Sequence, residues 1–238
     1  MLKVFISGLE KQSGKTLVTA GVAATMQSLS YTTCVYKPIQ TGANVLNGFK
    51  SSPDLSLIKS FDSNINVQSS YLLSGEESPF VSFYEDGLNL DLNTIYSQFI
   101  EIQRFTDCVI VEGSNSISTP IAENMTEIDI VKGMNIPLIL IINPKKTTID
   151  FSISALKYIS SQNINLLGVI LNQHNTNSQN LEEKYYPQIL KEVSGCKILG
   201  SIPDYKDISL LAPEILIQDV LNNLKLEEIF GIEIAKLR

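Results

Sequence analysis

"SGLEKQSGKTLVTAG", residues 7–21, decides how this chain is read. It continues a short apolar run, "LKVFIS" (2–7), and leads into a segment where Val18, Val22, Met26 and Leu29 recur on one helical face. Strand, glycine-containing loop and helix together make a phosphate-binding loop. The first N–H groups of such a helix have no partner within it, so they point at an anion, and the helix dipole favours negative charge there. Gly14-Lys15-Thr16 supplies the last three positions of the pattern G-x-x-x-x-G-K-[ST]. The opening glycine is displaced. The pattern asks for it at position 9, where Leu9 stands, and Gly8 lies one residue earlier. In a loop of this kind Lys15 reaches the β- and γ-phosphates of a nucleotide, and the Thr16 hydroxyl reaches Mg2+.

Five more apolar, β-branched runs follow: "TCVYK" (33–37), "DCVIVE" (107–112), "PLILIIN" (137–143), "LLGVILN" (166–172) and "KILGSI" (197–202). None alternates apolar with polar residues, as expected of parallel strands covered on both faces. Helix-period segments lie between them. In "TTIDFSISALKYISSQ" (147–162), for example, Ile149, Ile153, Leu156 and Ile159 share a face behind a Thr/Asp-rich start. This order predicts an α/β fold of the P-loop NTPase type, a doubly wound, mostly parallel sheet with helices on both faces, as one domain over 1–238. The stretch 43–105 is less regular and reads as helices joined by longer loops, a common place for substrate contacts.

Composition narrows the partners. The chain has 238 residues, 44% apolar and 18% charged, with a formal charge of −7. That balance leaves no broad cationic face for nucleic acid or an anionic membrane, while allowing one local anion site. No run approaches the roughly 20 apolar residues of a membrane span, and "MLKVFIS" is too short for an export signal, so the cytoplasm is the expected location. Cys34, Cys108 and Cys196 are far apart and odd in number, which suits reduced thiols. His174 is the only histidine and has no cysteine near it, which argues against a zinc site.

A Mg–nucleotide site needs a carboxylate at the end of a neighbouring strand. Glu112 closes the run "CVIVEG" at the carboxyl end, where open α/β sheets hold their ligands. A solvated strand-end glutamate is the plain alternative. In "VYKPIQTG", Lys37 ends the second strand, Gln40 and Thr41 follow, and Pro38 biases Lys37 towards an extended backbone. A lysine there suits a second anion contact. Asp54, in "SSPDLSL", reads equally as a ligand or as a helix N-cap. The residues themselves thus define a Mg–nucleotide phosphoryl-transfer domain with its second substrate open.

The succession "SG-x5-GKT", "YKPIQTG", "PDLSL", "VIVEG", "GVILN" and "ILGSIP" resembles the dethiobiotin synthetase family along most of the chain. That family uses a lengthened loop with its first glycine where Gly8 stands, so the resemblance explains the displacement. "YKPIQTG" and "VIVEG" carry most of the weight, because "GVILN" and "ILGSIP" are shared with related ATP-dependent amidating enzymes. The resemblance implies ATP-dependent closure of a cyclic urea on a small diamino acid, 7,8-diaminononanoate, with CO2. It implies that Lys15 and Lys37 neutralise the carbamate and the transferred phosphoryl group, and that Thr41 bonds the diamine or the carbamate. Thr16, Asp54 and Glu112 would hold Mg2+. Gln12, Ser13, Gly14, Lys15, Thr16 and Leu17 would surround the ATP phosphates, with Asn172 and Pro203 near the adenine. The family is a homodimer whose substrate tail reaches the partner near the helix beginning around 147.

Four departures from the family pattern cluster around the substrate half. Glu10 and Lys11 replace an Asp-Thr pair, and Gly113-Ser114-Asn115-Ser116 replaces a Gly-Ala-Gly-Gly turn. Phe80 follows Pro79 where a histidine is usual, and Lys145-Lys146-Thr147-Thr148 lacks a glycine. They motivate two other readings: a same-fold ATP-dependent ligase for another substrate, and a non-catalytic nucleotide-binding regulatory module.

Overall fold

In the computed structural model, which describes residues 1–234, seven parallel strands form the central sheet. They are β1 (Leu2–Gly8), β2 (Thr33–Tyr36), β3 (Asn66–Gln68), β4 (Cys108–Glu112), β5 (Leu138–Ile142), β6 (Leu166–Asn172) and β7 (Ile198–Ile202), in the order β7-β6-β5-β1-β4-β2-β3. The six strands expected from the sequence are all present, and edge strand β3 is an addition.

Nine α-helices follow or separate the strands among the described residues: α1 (Lys15–Ser28), α2 (Pro53–Phe61), α3 (Pro79–Glu85), α4 (Leu92–Ile102), α5 (Glu127–Met134), α6 (Ile149–Ser161), α7 (Leu181–Ser194), α8 (Pro213–Asn223) and α9 (Leu226–Phe230). Alternate strand residues feed two cores. Phe5, Val109, Val111, Leu138 and Leu140 pack with α4 to α7. Val4, Ile6, Ile110, Ile139 and Ile141 pack with α1, α2, α8 and α9 on the other face. Apolar residues at both parities give the strands their continuous apolar runs, and each buried Val, Leu or Ile contributes about 1.5–3 kcal/mol.

Because the strands are parallel, their carboxyl ends share one edge of the sheet. Gly8, Glu112 and Asn172 lie there, with Lys37 directly after β2. The irregular stretch contributes a further element at this edge. Ser52 caps α2, its hydroxyl accepting the Leu55 N–H at 3.0 Å, and Pro53 occupies the first turn without needing a donor. Asp54 is therefore not the N-cap; it belongs to the first turn, and its side chain is left for the site.

Candidate functional site

Between Gly8 and α1 the chain wraps back over itself. A Cβ on Gly8 would lie 2.5 Å from Ser13 Oγ, so a side chain at this point would push the Ser13 hydroxyl aside. Gly14 has φ +86°, the left-handed region, and its missing Cβ would fall 1.8 Å from Asn172 Nδ2. Both conformation and space therefore call for glycine. Asn172 Nδ2 donates to the Ser13 carbonyl at 2.9 Å and pins the loop to the end of β6. Two further ties come from the segment before α6. Lys146 Nζ donates to the Gln12 carbonyl at 3.2 Å, and the Thr147 hydroxyl donates to Glu10 Oε1.

Lys15, Thr16, Lys37 and Asp54 line one cleft, and the fully buried Glu112 bonds to Thr16 and Lys37 behind its wall. Lys37 Nζ lies 2.7 Å from Glu112 Oε1 and 2.9 Å from Asp54 Oδ2. The Thr16 hydroxyl donates to Glu112 Oε1 at 3.0 Å. Lys37 is 2% exposed and Glu112 fully buried, so each charge depends on the other for compensation. Burial by itself would lower the Lys37 pKa, but Glu112 and Asp54 outweigh it and hold the ammonium well above the usual lysine range. Burial would raise the Asp54 carboxyl, yet Lys37 draws it below the usual carboxylate value. Lys15 goes the other way. Burial and the neighbouring Lys37 lower its pKa, against an upward pull from Glu127, Glu112 and Asp54. An anion between the two lysines would relieve that penalty.

The cleft encloses about 450 Å3 and is also lined by Lys11, Gln12, Thr41, Glu76 and Gln173. Lys11 Nζ spans its mouth to the Glu76 carbonyl at 2.8 Å. Leu17 buries its side chain in the core beneath α1, leaving only its backbone for a phosphate. Ser13 Oγ and Asn172 Oδ1 are buried without a hydrogen-bond partner among the described residues. Pro203 directly follows β7 and is not among the residues lining this cleft, and neither is Phe80, which is on α3 and 47% exposed. Ser114 Oγ, in the altered turn, is engaged by Glu127 Oε2 at 2.7 Å.

Sequence reasoning missed Glu127, Glu76 and the ties from Lys146 and Thr147. Glu127 follows Thr126 and precedes Asp129 in a capping box, so its sequence signal is that of an ordinary acidic helix start.

Oxygen donors suited to Mg2+ are present. Glu112 Oε2 is buried without a hydrogen-bond partner among the described residues, the Thr16 hydroxyl bonds the other oxygen of that carboxylate, and Asp54 meets the same Lys37 ammonium. No group of three or more His, Cys, Asp or Glu residues able to hold a metal gathers among the described residues. That poor protein donor set suits an ion that keeps several waters and takes phosphate oxygens, as Mg2+ does, rather than one caged by side chains.

Sheet order, loop and converging lysines define a P-loop nucleotide-binding α/β protein. Residues 3–210 match AAA_26, described as an AAA domain, and the chain belongs to that family. It is similar to the ATP-dependent dethiobiotin synthetase of Bacillus subtilis (strain 168), with 24% identity over 92% of this chain and 94% of the relative. The synthetase of Nitrosopumilus maritimus (strain SCM1) is 28% identical over 88% of this chain and 92% of its own length. Among solved structures, a chain of the MinC:MinD cell division protein complex of Aquifex aeolicus superposes with TM-score 0.58 at 14% identity, covering 100% and 99% of the two chains. The ParA family ATPase of Chlorobium tepidum TLS gives 0.54 at 15%, covering 92% and 90%. At those identities the structural likeness shows the fold alone. No helix among the described residues is long and apolar enough to cross a membrane.

Proposed function

We propose that this protein closes a cyclic urea on 7,8-diaminononanoate, using CO2 and ATP to make dethiobiotin. The observation that carries the proposal is Lys37, an ammonium fixed between Asp54 and Glu112 in the same cleft as Lys15. Nucleotide binding alone needs one loop lysine, whereas phosphoryl transfer to an anionic acceptor gains from a second. Similarity to dethiobiotin synthetases over about nine-tenths of the chain supports this choice of substrate.

One amine adds to CO2 and loses a proton, giving a carbamate. A carbamate oxygen attacks the γ-phosphorus of ATP as the bond to the bridging oxygen breaks, and ADP leaves. The second amine attacks the carbamoyl carbon and loses a proton. The C–O bond to phosphate breaks, and the ring closes. In this reading Lys15 and Lys37 offset the negative charge that concentrates on the transferring group, and the Thr41 hydroxyl bonds the diamine or carbamate. Backbone groups from Gln12 to Leu17 surround the phosphates. Asn172, whose Oδ1 has no hydrogen-bond partner among the described residues, and Pro203 would serve the adenine. Thr16, Asp54 and Glu112 would hold Mg2+, which supplies charge neutralisation at the phosphates. A cytoplasmic homodimer is part of the proposal, supported by the family resemblance.

A second reading is favoured by Lys11, whose ammonium reaches across the cleft mouth to Glu76. In it the same machinery serves a different amine or carboxylate. Measuring ADP release from Mg–ATP and bicarbonate, with and without 7,8-diaminononanoate, separates the two. Diamine-dependent release supports ring closure. ATP binding without it sends the assignment to the second reading.

A further inference from the structure

The turn from Gly113 to Ser116 receives both site lysines. Lys37 Nζ donates to the Gly113 carbonyl at 3.1 Å, and Lys15 Nζ donates to the Asn115 carbonyl at 2.5 Å. A residue outside the cleft fixes this turn. Glu127, the first residue of α5, is 1% exposed. Its Oε2 accepts the Ser114 N–H at 2.6 Å and the Ser114 hydroxyl at 2.7 Å. Its Oε1 accepts the hydroxyl of Ser7, near the end of β1. Gly113 makes room for the carboxylate, since a Cβ there would lie 2.1 Å from Glu127 Oε1.

A carboxylate is costly to bury unless its oxygens find donors, and here three donors converge on two oxygens. Backbone bonds complete the frame. The Glu127 N–H donates to the Thr119 carbonyl at 2.9 Å, and the Ile117 N–H to the Gly8 carbonyl at 2.9 Å. The start of the phosphate loop, the turn and α5 are therefore tied through one side chain. We infer that Glu127 is a positioning residue for the phosphoryl-transfer site: it fixes the turn whose carbonyls hold the Lys15 and Lys37 ammonium groups. It touches neither lysine in a hydrogen bond: it holds them through the turn, and its charge also pulls the Lys15 pKa upward across space, a contribution that Glu127→Gln removes while keeping the turn. The inference rests on the reading that these lysines engage a triphosphate.

Glutamine is the informative replacement. Its oxygen can take the place of Oε2 and accept both Ser114 donors, while its amide donates to the Ser7 hydroxyl, which can accept. Glu127→Gln therefore keeps the geometry, and Glu127→Ala removes it. Affinities for Mg–ATP and Mg–ADP, measured with melting temperatures, test this without any second substrate. The expected result is that Glu127→Ala loses about tenfold of its preference for ATP over ADP, while Glu127→Gln stays within about 1.5-fold of the parent. Where Glu127→Ala does not fold, Ser114→Ala shows the same loss at about threefold, because it removes one of the three donors. An unchanged ATP-over-ADP preference in the alanine variants, or a loss in Glu127→Gln as large as in Glu127→Ala, overturns the inference. A parent protein that gives the expected pattern yet no diamine-dependent ADP release refutes the ring-closure reading and leaves the role of Glu127 standing.

Discussion

Lys37 Nζ and Glu112 Oε1 are 2.7 Å apart at the wall of the cleft, where the lysine is almost fully buried and the glutamate entirely so. Glu112 ends β4 and Lys37 directly follows the adjacent β2, and the parallel register of the two strands pairs Tyr36 with Val111. The sheet itself brings the cation to the carboxylate, and the contact does not depend on a flexible loop.

Removing Lys37 separates catalysis from binding. In Lys37→Ala, turnover falls by at least about a hundredfold while ATP affinity changes less than about threefold. The variant also loses about 3–5 kcal/mol of stability, because Glu112 is left buried beside Asp54 without its cation. Added Mg2+ recovers part of the loss by binding the folded state. Steady-state kinetics and urea unfolding with and without Mg2+ check both halves.

Gly14→Ala and Asn172→Ala are coupled. The new methyl group of Gly14→Ala meets Asn172 Nδ2 and also sits at φ +86°. About 1–3 kcal/mol is the expected cost. Asn172→Ala loses the bond to the Ser13 carbonyl but clears that space, so the double variant costs less than the sum of the singles. Equal cost and sum would contradict the contact.

Thr16→Val tests the Mg2+ ligands. Valine keeps the shape and loses the hydroxyl that donates to Glu112 Oε1. The Mg2+ concentration needed for half-maximal activity should rise about tenfold, with metal-free nucleotide affinity unchanged. Titration of activity with Mg2+ reads this directly.

Asp86 accepts Lys50 Nζ at 2.6 Å and the Ser74 N–H at 2.9 Å, and these bonds lower its carboxyl pKa below the usual 3.8. A depressed folded pKa contributes stability above the unfolded value, lost as pH falls through the folded one. Exchange of the Ser74 amide should therefore accelerate, relative to its intrinsic rate, as pH drops below about 4, and this acid dependence should vanish in Asp86→Asn.

Much of this was legible in the sequence because it is local or periodic. Buried strands of five to seven residues such as β1, β4 and β6 write their burial as apolar runs, and Gly14-Lys15-Thr16 sits at the one joint where a phosphate loop can form. Edge strand β3 escaped because it has three residues, with a single apolar one, Val67, between exposed Asn66 and Gln68. Asp54 stayed ambiguous until Ser52 took the capping role. The ties from Thr147 to Glu10 and from Glu127 to Ser7 join residues more than a hundred positions apart. No spacing rule reaches that far, and each of these residues has an ordinary local identity.

Ring closure is tested most directly by following labelled carbon. The protein is supplied with Mg–ATP, 7,8-diaminononanoate and 13C-bicarbonate, and products are read by mass spectrometry beside ADP. The account predicts dethiobiotin carrying one 13C atom and one ADP for each molecule formed, with neither product accumulating in Lys37→Ala. Tight ATP binding with no diamine-dependent ADP and no labelled dethiobiotin would contradict it.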